Sequence, residues 1–454
     1  MKTLLERARG SPLDITTDYS APIDTITLLF PHTQQIRSLN FTKSYWTVIR
    51  WFSEVISGPL PLLRNLEIDA VMELRLVLHS YPAVPPSLPL FSNAVNLKRF
   101  VLRSPTSPFL SCFVFPNLTT FELSVIPAEG FRASELLNFL EASPVLQTIH
   151  VKIIARILLE DVAQRRVVVL PSVHTFSLAV NDGAPGYELA AHISCPSASH
   201  TSLTYEKYAE DMTTDQDMFM FPTVASWNAI VRQYTRSPVE AVVLEIKPPQ
   251  HFVIACTLTF RSPDMAVVKL GLEVSGNIDD ENEFQMSLEA MALEVFSQAT
   301  RTVRDHPLFP NIKRLHIGGG VPISDYIQLR SMVNDFGRLF ESVGPLDELT
   351  LRGVDLRSYL TPFLGFPVFD YMEHPIVFPP IKELTISHPS MVDDEEECMA
   401  AITEFARSQH ALGVPFERVT VRARKLPAGM TEMLEPLVGV VDCCEERCTR
   451  AHDE

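Results

Sequence analysis

Glycine is scarce in this chain, at 17 of 454 residues, while proline reaches 35. A disordered polymer raises both and loses its aliphatic residues. Here 46% of the residues are hydrophobic and 20% are charged, an ordinary globular balance with enough apolar material for a large core. Positive charge is also short: 38 Lys and Arg stand against 55 Asp and Glu, a net charge of −17. Nucleic acid and anionic membranes both call for a basic face, so neither is expected as a partner. No apolar run is long enough to cross a bilayer as a helix. The first residues, Met1-Lys2-Thr3-Leu4-Leu5-Glu6-Arg7, lack the apolar core of a secretion signal. The 7 cysteines are odd in number and irregularly spaced. Reduced thiols and a cytoplasmic or nuclear location are the expectation.

Motifs that carry chemistry are missing as well. There is no phosphate-cradling glycine loop. His316-Ile317-Gly318-Gly319-Gly320 echoes the oxyanion loop of esterases, but no Gly-x-Ser-x-Gly elbow accompanies it. The glycines read instead as a tight exit from a strand. Cys443, Cys444, Cys448 and His452 match no zinc spacing, and two adjacent cysteines suit a tetrahedral site poorly. The acidic run Asp393–Glu397 lacks the alternating ligands and central glycine of a calcium loop. It reads as a helix N-terminus, where negative charge is favoured. No catalytic site, metal or cofactor is expected, and the function inferred is binding rather than catalysis.

What the chain does contain is one recurring phrase. In Phe115-Pro116-Asn117-Leu118-Thr119-Thr120-Phe121-Glu122-Leu123 a proline precedes an apolar residue, two spacers, an apolar residue, one spacer and a last apolar residue. The phrase returns at Ile36/Leu39/Phe41, Leu63/Leu66/Ile68, Leu97/Phe100/Leu102, Leu146/Ile149/Val151 and Val173/Phe176/Leu178. After a gap it resumes at Ile312/Leu315/Ile317, Leu346/Leu349/Leu351, Ile381/Leu384/Ile386 and Phe416/Val419/Val421. Residues two apart in a strand share a face, so the last two apolar positions point the same way. One such strand cannot bury its apolar side alone; stacked copies can. Proline stands before the strand because it has no N–H for a sheet ladder. The expected fold is an α/β irregular leucine-rich-repeat solenoid, a horseshoe with parallel strands on its concave face and helices and loops outside.

Taken in order, residues 2–9 read as the end of a helix closed by Gly10, followed by a short strand from Pro12 to Ile15. Such a start suggests that an N-terminal module precedes it. A further strand is expected over Ile23–Phe30. Trp46, Ile49, Phe52 and Ile56 recur at helical spacing over 44–57. Ser134 reads as the cap of a short helix bearing Leu136, Leu137 and Leu140. The pattern blurs over 181–222, where Leu203 and Tyr205 suggest a degenerate strand and Glu206–Asp217 an acidic loop. Over 238–276 it changes character. Phe252/Ile254/Cys256/Leu258/Phe260 and Ala266/Val268/Leu270/Leu272/Val274 alternate strictly around the turn sequence Arg261–Met265, a β-hairpin insertion, with Leu244/Ile246 beside it. Helices are expected over 288–299, 329–343 and from Asp393 to about His410. The domains are then a solenoid over 1–441 and a polar, disordered tail over 442–454.

The residues that alternate with the core are the candidate partner-binding strip on the concave face. They are Glu67, Arg99, Glu122, His150, Arg314, His316, Thr350, Arg352, Arg418 and Arg422. Solenoids use such extended faces to hold other proteins. The arginines at its C-terminal end favour an acidic partner segment.

The stretch Leu4-Leu5-Glu6-Arg7-Ala8-Arg9-Gly10-Ser11-Pro12-Leu13-Asp14-Ile15 resembles the segment that follows the F-box in the large mushroom-type fungal family of F-box proteins. Leu60–Ile68 and Leu349-Thr350-Leu351-Arg352-Gly353 look similar to that family's later repeats. The resemblance implies substrate-recognition repeats of a ubiquitin-ligase subunit, which position a substrate and perform no transfer themselves. It also implies a Skp1-type adaptor as partner, but only if an F-box lies upstream, since none precedes Leu4. A free-standing leucine-rich-repeat scaffold, unconnected to ubiquitin, is the alternative.

Overall fold

The computed structural model describes residues 5, 8, 10–18, 27–56, 58–71, 90–104, 110–126, 130–160, 162, 166–181, 183–208, 241–250, 253–261, 267–275, 312–318, 340, 343–352, 379–388, 395–423 and 429–445. The chain divides into two compact units. The first holds Met1–Glu206 and Ala225–Tyr234, the second Lys207–Val224 and Thr235–Glu454. Among the described residues no helix is long and apolar enough to cross a membrane.

The strands of the first unit are β1 (Leu13–Asp18), β2 (Ile36–Tyr45), β3 (Asn65–Val71), β4 (Arg99–Ser104), β5 (Thr120–Val125), β6 (Phe131–Arg132), β7 (Thr148–Ile153), β8 (Ile157–Leu158), β9 (Val168–Val169), β10 (Thr175–Val180), β11 (Ile193–Ser194) and, as far as Glu206, β12 (His200–Tyr208). The sheet runs β1-β2-β3-β4-β5-β7-β10-β12 and every pairing in it is parallel. The short strands pair separately, β6 with β8 and β9 with β11. The helices are α1 (Trp46–Val55), α2 (Ala133–Glu141) and α3 (Gly183–Ala191).

The phrase accounts for this sheet. Its three apolar positions are at most 3% exposed in all six repeats from Ile36 to Leu178. In register, Phe100 faces Phe121 and Leu102 faces Leu123, with Ile149 and Val151 next in line. Phenylalanines fill the layer beneath: Phe121 and Phe139 lie 4.5 Å apart between ring centroids, Phe100 and Phe113 4.9 Å. Such rings bury more apolar area than any other residue class.

Ahead of β4, β5, β7, β10 and β12 one carbonyl serves two donors. Lys98 O accepts from the N–H groups of Thr119 and Thr120, both at 2.9 Å. Thr119 O does the same for Gln147 (2.8 Å) and Thr148 (3.0 Å), and Gln147 O for His174 (2.8 Å) and Thr175 (3.2 Å). Side chains add rungs: Asn96 donates to Pro61 O at 2.8 Å, and Asn117 to Val95 O at 2.9 Å. Prolines before the strands remove no donor that this ladder needs.

Two local expectations are corrected here. Leu28 and Leu29 form a turn and Phe30–Gln35 a 3-10 helix, with Pro31 at its start; proline's fixed φ suits a helical first turn and not a strand interior. Ile23 and Ile26 lie outside the described residues. Ser134 sits inside α2, whose N-cap is Arg132 without a side-chain cap bond. α3 departs from its local sequence, since Gly183, Pro185 and Gly186 are poor helix formers. Gly186 is required by space: a Cβ there would come within 2.3 Å of Val180 Cγ2 on β10.

The second unit contains β13 (Ala241–Gln250), β14 (Val253–Arg261), β15 (Val267–Ser275), β16 (Arg314–Gly318), β17 (Leu346–Arg352), β18 (Ile381–His388), β19 (Arg418–Ala423) and β20 (Val440–Glu445), with α4 (Glu395–Ala411) and α5 (Met430–Leu434). Its sheet runs β15-β14-β13-β16-β17-β18-β19-β20. β14 and β15 form the expected antiparallel hairpin. β13 carries Leu244 and Ile246, pairs antiparallel with β14 and parallel with β16, and so joins the hairpin to the repeats. Its register shifts between Lys247 and Gln250, across Pro248 and Pro249, which have no N–H to pair. From β16 to β20 all pairings are parallel. Leu315, Leu349, Leu384 and Val419 are at most 1% exposed, and Phe405 of α4 meets Phe416 edge-on at 5.3 Å.

The tail expected over 442–454 is corrected in part. Residues 442–445 belong to β20, with Cys443 opposite Val421 and Cys444 opposite Arg422. The polar, cysteine-rich composition hid a strand whose Val441 and Cys443 take the apolar positions. Glu206–Tyr208, expected in an acidic loop, continue β12. The helix expected over 288–299 and most of the one expected over 329–343 lie outside the described residues.

Replacing Phe121 with alanine should cost the first unit about 3–5 kcal/mol in chemical denaturation, because it leaves a cavity under the phenylalanine layer. Gly186→Ala should cost about 1–3 kcal/mol by overpacking α3 against Val180. A variant as stable as the parent would mean that α3 does not press on β10.

Candidate partner-binding face

Parallel register turns the polar spacers of the phrase into rows across the outward face. In the first unit one row reads Asn40, Glu67, Val101, Glu122, His150, Ser177 and Ser202. The flanking rows contain Arg99, Thr120, Thr148 and Thr175 on one side, and Asp69, Arg103, Ser124 and Lys152 on the other. Neighbours within a row are about 4.8 Å apart, close enough for long side chains to reach one strand over and two residues along.

The arginines use that diagonal reach. Arg99 on β4 donates to Glu122 Oε1 on β5 through Nε (3.2 Å) and Nη2 (2.7 Å). Arg103, two residues beyond Val101 along β4, reaches the other way to Glu67 on β3. Between them lies Val101, which points outward yet is only 1% exposed. Four charges thus turn around one apolar residue and cancel. At one edge of the sheet Arg37 likewise pairs with Asp14. That guanidinium's hydrogen bond holds the Asp14 carboxyl below the usual carboxylate range.

Beside this pinwheel the face opens into a depression of about 270 Å³, lined by Val101, Arg103, Glu122, His150, Lys152 and Ala179 among others. It lies at the lower limit of small-molecule pockets, about 300–1,000 Å³. Its size suits a partner's side chain better than a cofactor. His150 is exposed at its rim.

In the second unit the rows run Arg314, Glu348, Glu383, Arg418; then His316, Thr350, Thr385, Thr420, Asp442; then Gly318, Arg352, Ser387, Arg422, Cys444. Acidic residues therefore stand among the arginines that the sequence suggests as an acid-binding strip. Arg418 has Asp442 at 3.4 Å, and Thr350 donates to Glu348 Oε1 at 2.9 Å. Lys382 pairs with Asp347 at 2.6 Å, and that hydrogen bond keeps the Asp347 carboxyl low. Arg314 and His316 each engage a neighbour already. Arg352 and Arg422 are exposed, and among the described residues neither has an ion-pair partner.

All ten candidate residues lie on outward strand positions, distributed over the two units. Glu67, Arg99 and Glu122 are absorbed by the pinwheel. His150 faces the depression. Arg314, His316, Thr350 and Arg418 hold partners, and Arg352 with Arg422 remain. Val101 and Ser387 are further positions on these faces that the sequence alone does not single out; aligning the phrases in register is the signal that places both. Cys443 and Cys444 alternate on β20, the first half-buried and the second exposed, so they face opposite sides. No protein-family model matches the chain, and no curated protein matches it.

Burial alone pushes the Cys195 thiol up to about 12, and burial also raises Cys112. In the native chain iodoacetamide near pH 8 should therefore alkylate Cys444 and spare both, until denaturant exposes them; peptide mass spectrometry reads the difference. The unfolded thiol ionises near pH 8.5. The contribution of Cys195 to stability is thus complete below that pH and declines as pH rises from about 8.5 toward about 12.

Proposed function

We propose that the chain is a protein–protein interaction domain that holds a negatively charged partner segment on the outward sheet face of its second unit. The observation that carries this reading is the pair Arg352 and Arg422, exposed in one row and, among the described residues, without ion-pair partners, in a chain of net charge −17. Guanidinium groups left open in an acidic protein are suited to a partner's anion. The repeating phrase and the parallel register support reading each unit as a stretch of leucine-rich-repeat solenoid, a scaffold used for extended binding faces. The likeness of residues 4–15 to mushroom-type F-box proteins supports a more specific form: the substrate-recognition repeats of a ubiquitin-ligase subunit.

Replacing Arg352 and Arg422 together with alanine should weaken partner capture from cell extract by about tenfold to a hundredfold, the value of one or two charge-assisted hydrogen bonds. Arg418→Ala should do less, because Asp442 already occupies that guanidinium. Unchanged capture in the double variant would remove the docking face. Co-purification of a Skp1-type adaptor with the full-length gene product tests the ubiquitin-ligase form; its failure leaves a free-standing scaffold.

A further inference from the structure

We propose that the depression on the outward face of the first unit binds a free α-amino acid with a short, uncharged side chain, held by both of its charged ends. The inference does not rest on the docking face proposed for the second unit. Two rows build the site. Val101, Glu122, His150 and Ser177 form one row over β4, β5, β7 and β10, and Arg103, Ser124, Lys152 and Ala179 form the row two residues further on. The hollow is there because Ser124, Ser177 and Ala179 are short where their neighbours are long. In the second row two cations stand on either side of a serine. Adjacent strands lie about 4.8 Å apart, so the backbones of Arg103 and Lys152 are about 10 Å apart. Along the strands the two rows are about 6.6 Å apart.

Charge fixes the chemistry of the ligand. Arg99 directs both of its bonds to one oxygen of Glu122, Oε1. Among the described residues none donates to the other oxygen, Oε2. Arg103 bonds Glu67 through Nη1, and a guanidinium carries further N–H donors. The Lys152 ammonium, half-buried, likewise carries several. An anion seated over Ser124 meets these donors from both sides, while a cation one row back meets Oε2 of Glu122. A plain carboxylate satisfies the first and is repelled by Glu122; a plain amine satisfies Glu122 and faces two cations. A zwitterion satisfies both. Size agrees. A water's share of liquid volume is about 30 Å³, so the depression of about 270 Å³ holds about nine water-sized groups, the scale of a small amino acid. Beyond His150 and Lys152 the floor is Ser177 and Ala179, which leave room for a short side chain and offer no charge to a longer one.

The test is calorimetric titration of the full chain with L-alanine, L-serine and L-threonine, each beside its N-acetyl derivative and its amide. The free amino acids should bind saturably. Blocking either end should weaken binding by at least about tenfold, the worth of one charge-assisted hydrogen bond. K152Q should weaken it by a similar factor. A179L, which keeps every charge and fills the hollow, should abolish it. R352Q/R422Q, in the second unit, should leave it intact, and K152Q and A179L should leave partner capture from extract intact, so the two proposals fail separately. Thermal melting checks that the variants remain folded. N-acetyl derivatives that bind as tightly as the free amino acids overturn the zwitterion. Binding that survives both K152Q and A179L overturns this site. No saturable binding of any of the three overturns the proposal as a whole.

Discussion

The structure depends on how each strand begins. A strand of five or six residues has too few hydrogen bonds and too small an apolar side to persist alone. In the first unit the carbonyls of Arg64, Lys98, Thr119, Gln147 and His174 each receive two N–H groups from the next repeat. In the second unit Lys313 O does the same for Asp347 and Glu348. These bonds pin the register before the side chains alternate. A slip of one residue would turn Phe121 and Leu123 outward and the polar spacers inward, a loss of several buried side chains at roughly 1.5–3 kcal/mol each. Backbone pairing and apolar burial therefore enforce the same alignment.

That alignment makes the polar face a set of rows rather than a scatter of surface residues. Its chemistry depends on which charges meet. Around Val101 two arginines and two glutamates satisfy one another and shield the apolar residue between them. Along β17–β19 the rows begin with mixed charge and end with Arg352 and Arg422. The first unit's face is thus closed on itself around Val101, and the second unit's is left open at its far row.

Much of the sheet was legible from residues such as Phe121 and Leu384, because apolar side chains at every second position after a proline suit a short half-buried strand and little else. The hairpin β14–β15 was legible for the same reason. Elements that break local propensity were not. α3 is built on Gly183, Pro185 and Gly186, and only the close approach to Val180 accounts for it. β20 is written in Asp442, Cys443, Cys444 and Glu445, a composition that reads as solvent-exposed chain until β19 supplies the pairing. The outward residues of the strip were legible individually. Their pairing was not, because the bonds from Arg99 to Glu122 and from Arg418 to Asp442 join strands that are distant in sequence and are staggered by two residues.

The doubly used carbonyls also separate what must stay constant from what is at liberty to vary. Because alignment is set where a strand starts, the spans that join strands carry no responsibility for it. The phrase begins at 97 and again at 118, but at 381 and next at 416, and the rows stay in step across both intervals. Lengthening such a connection need displace no side chain on the outward sheet face. A lineage can therefore remodel its connecting segments freely while inheriting the same spacing of arginines and hydroxyls.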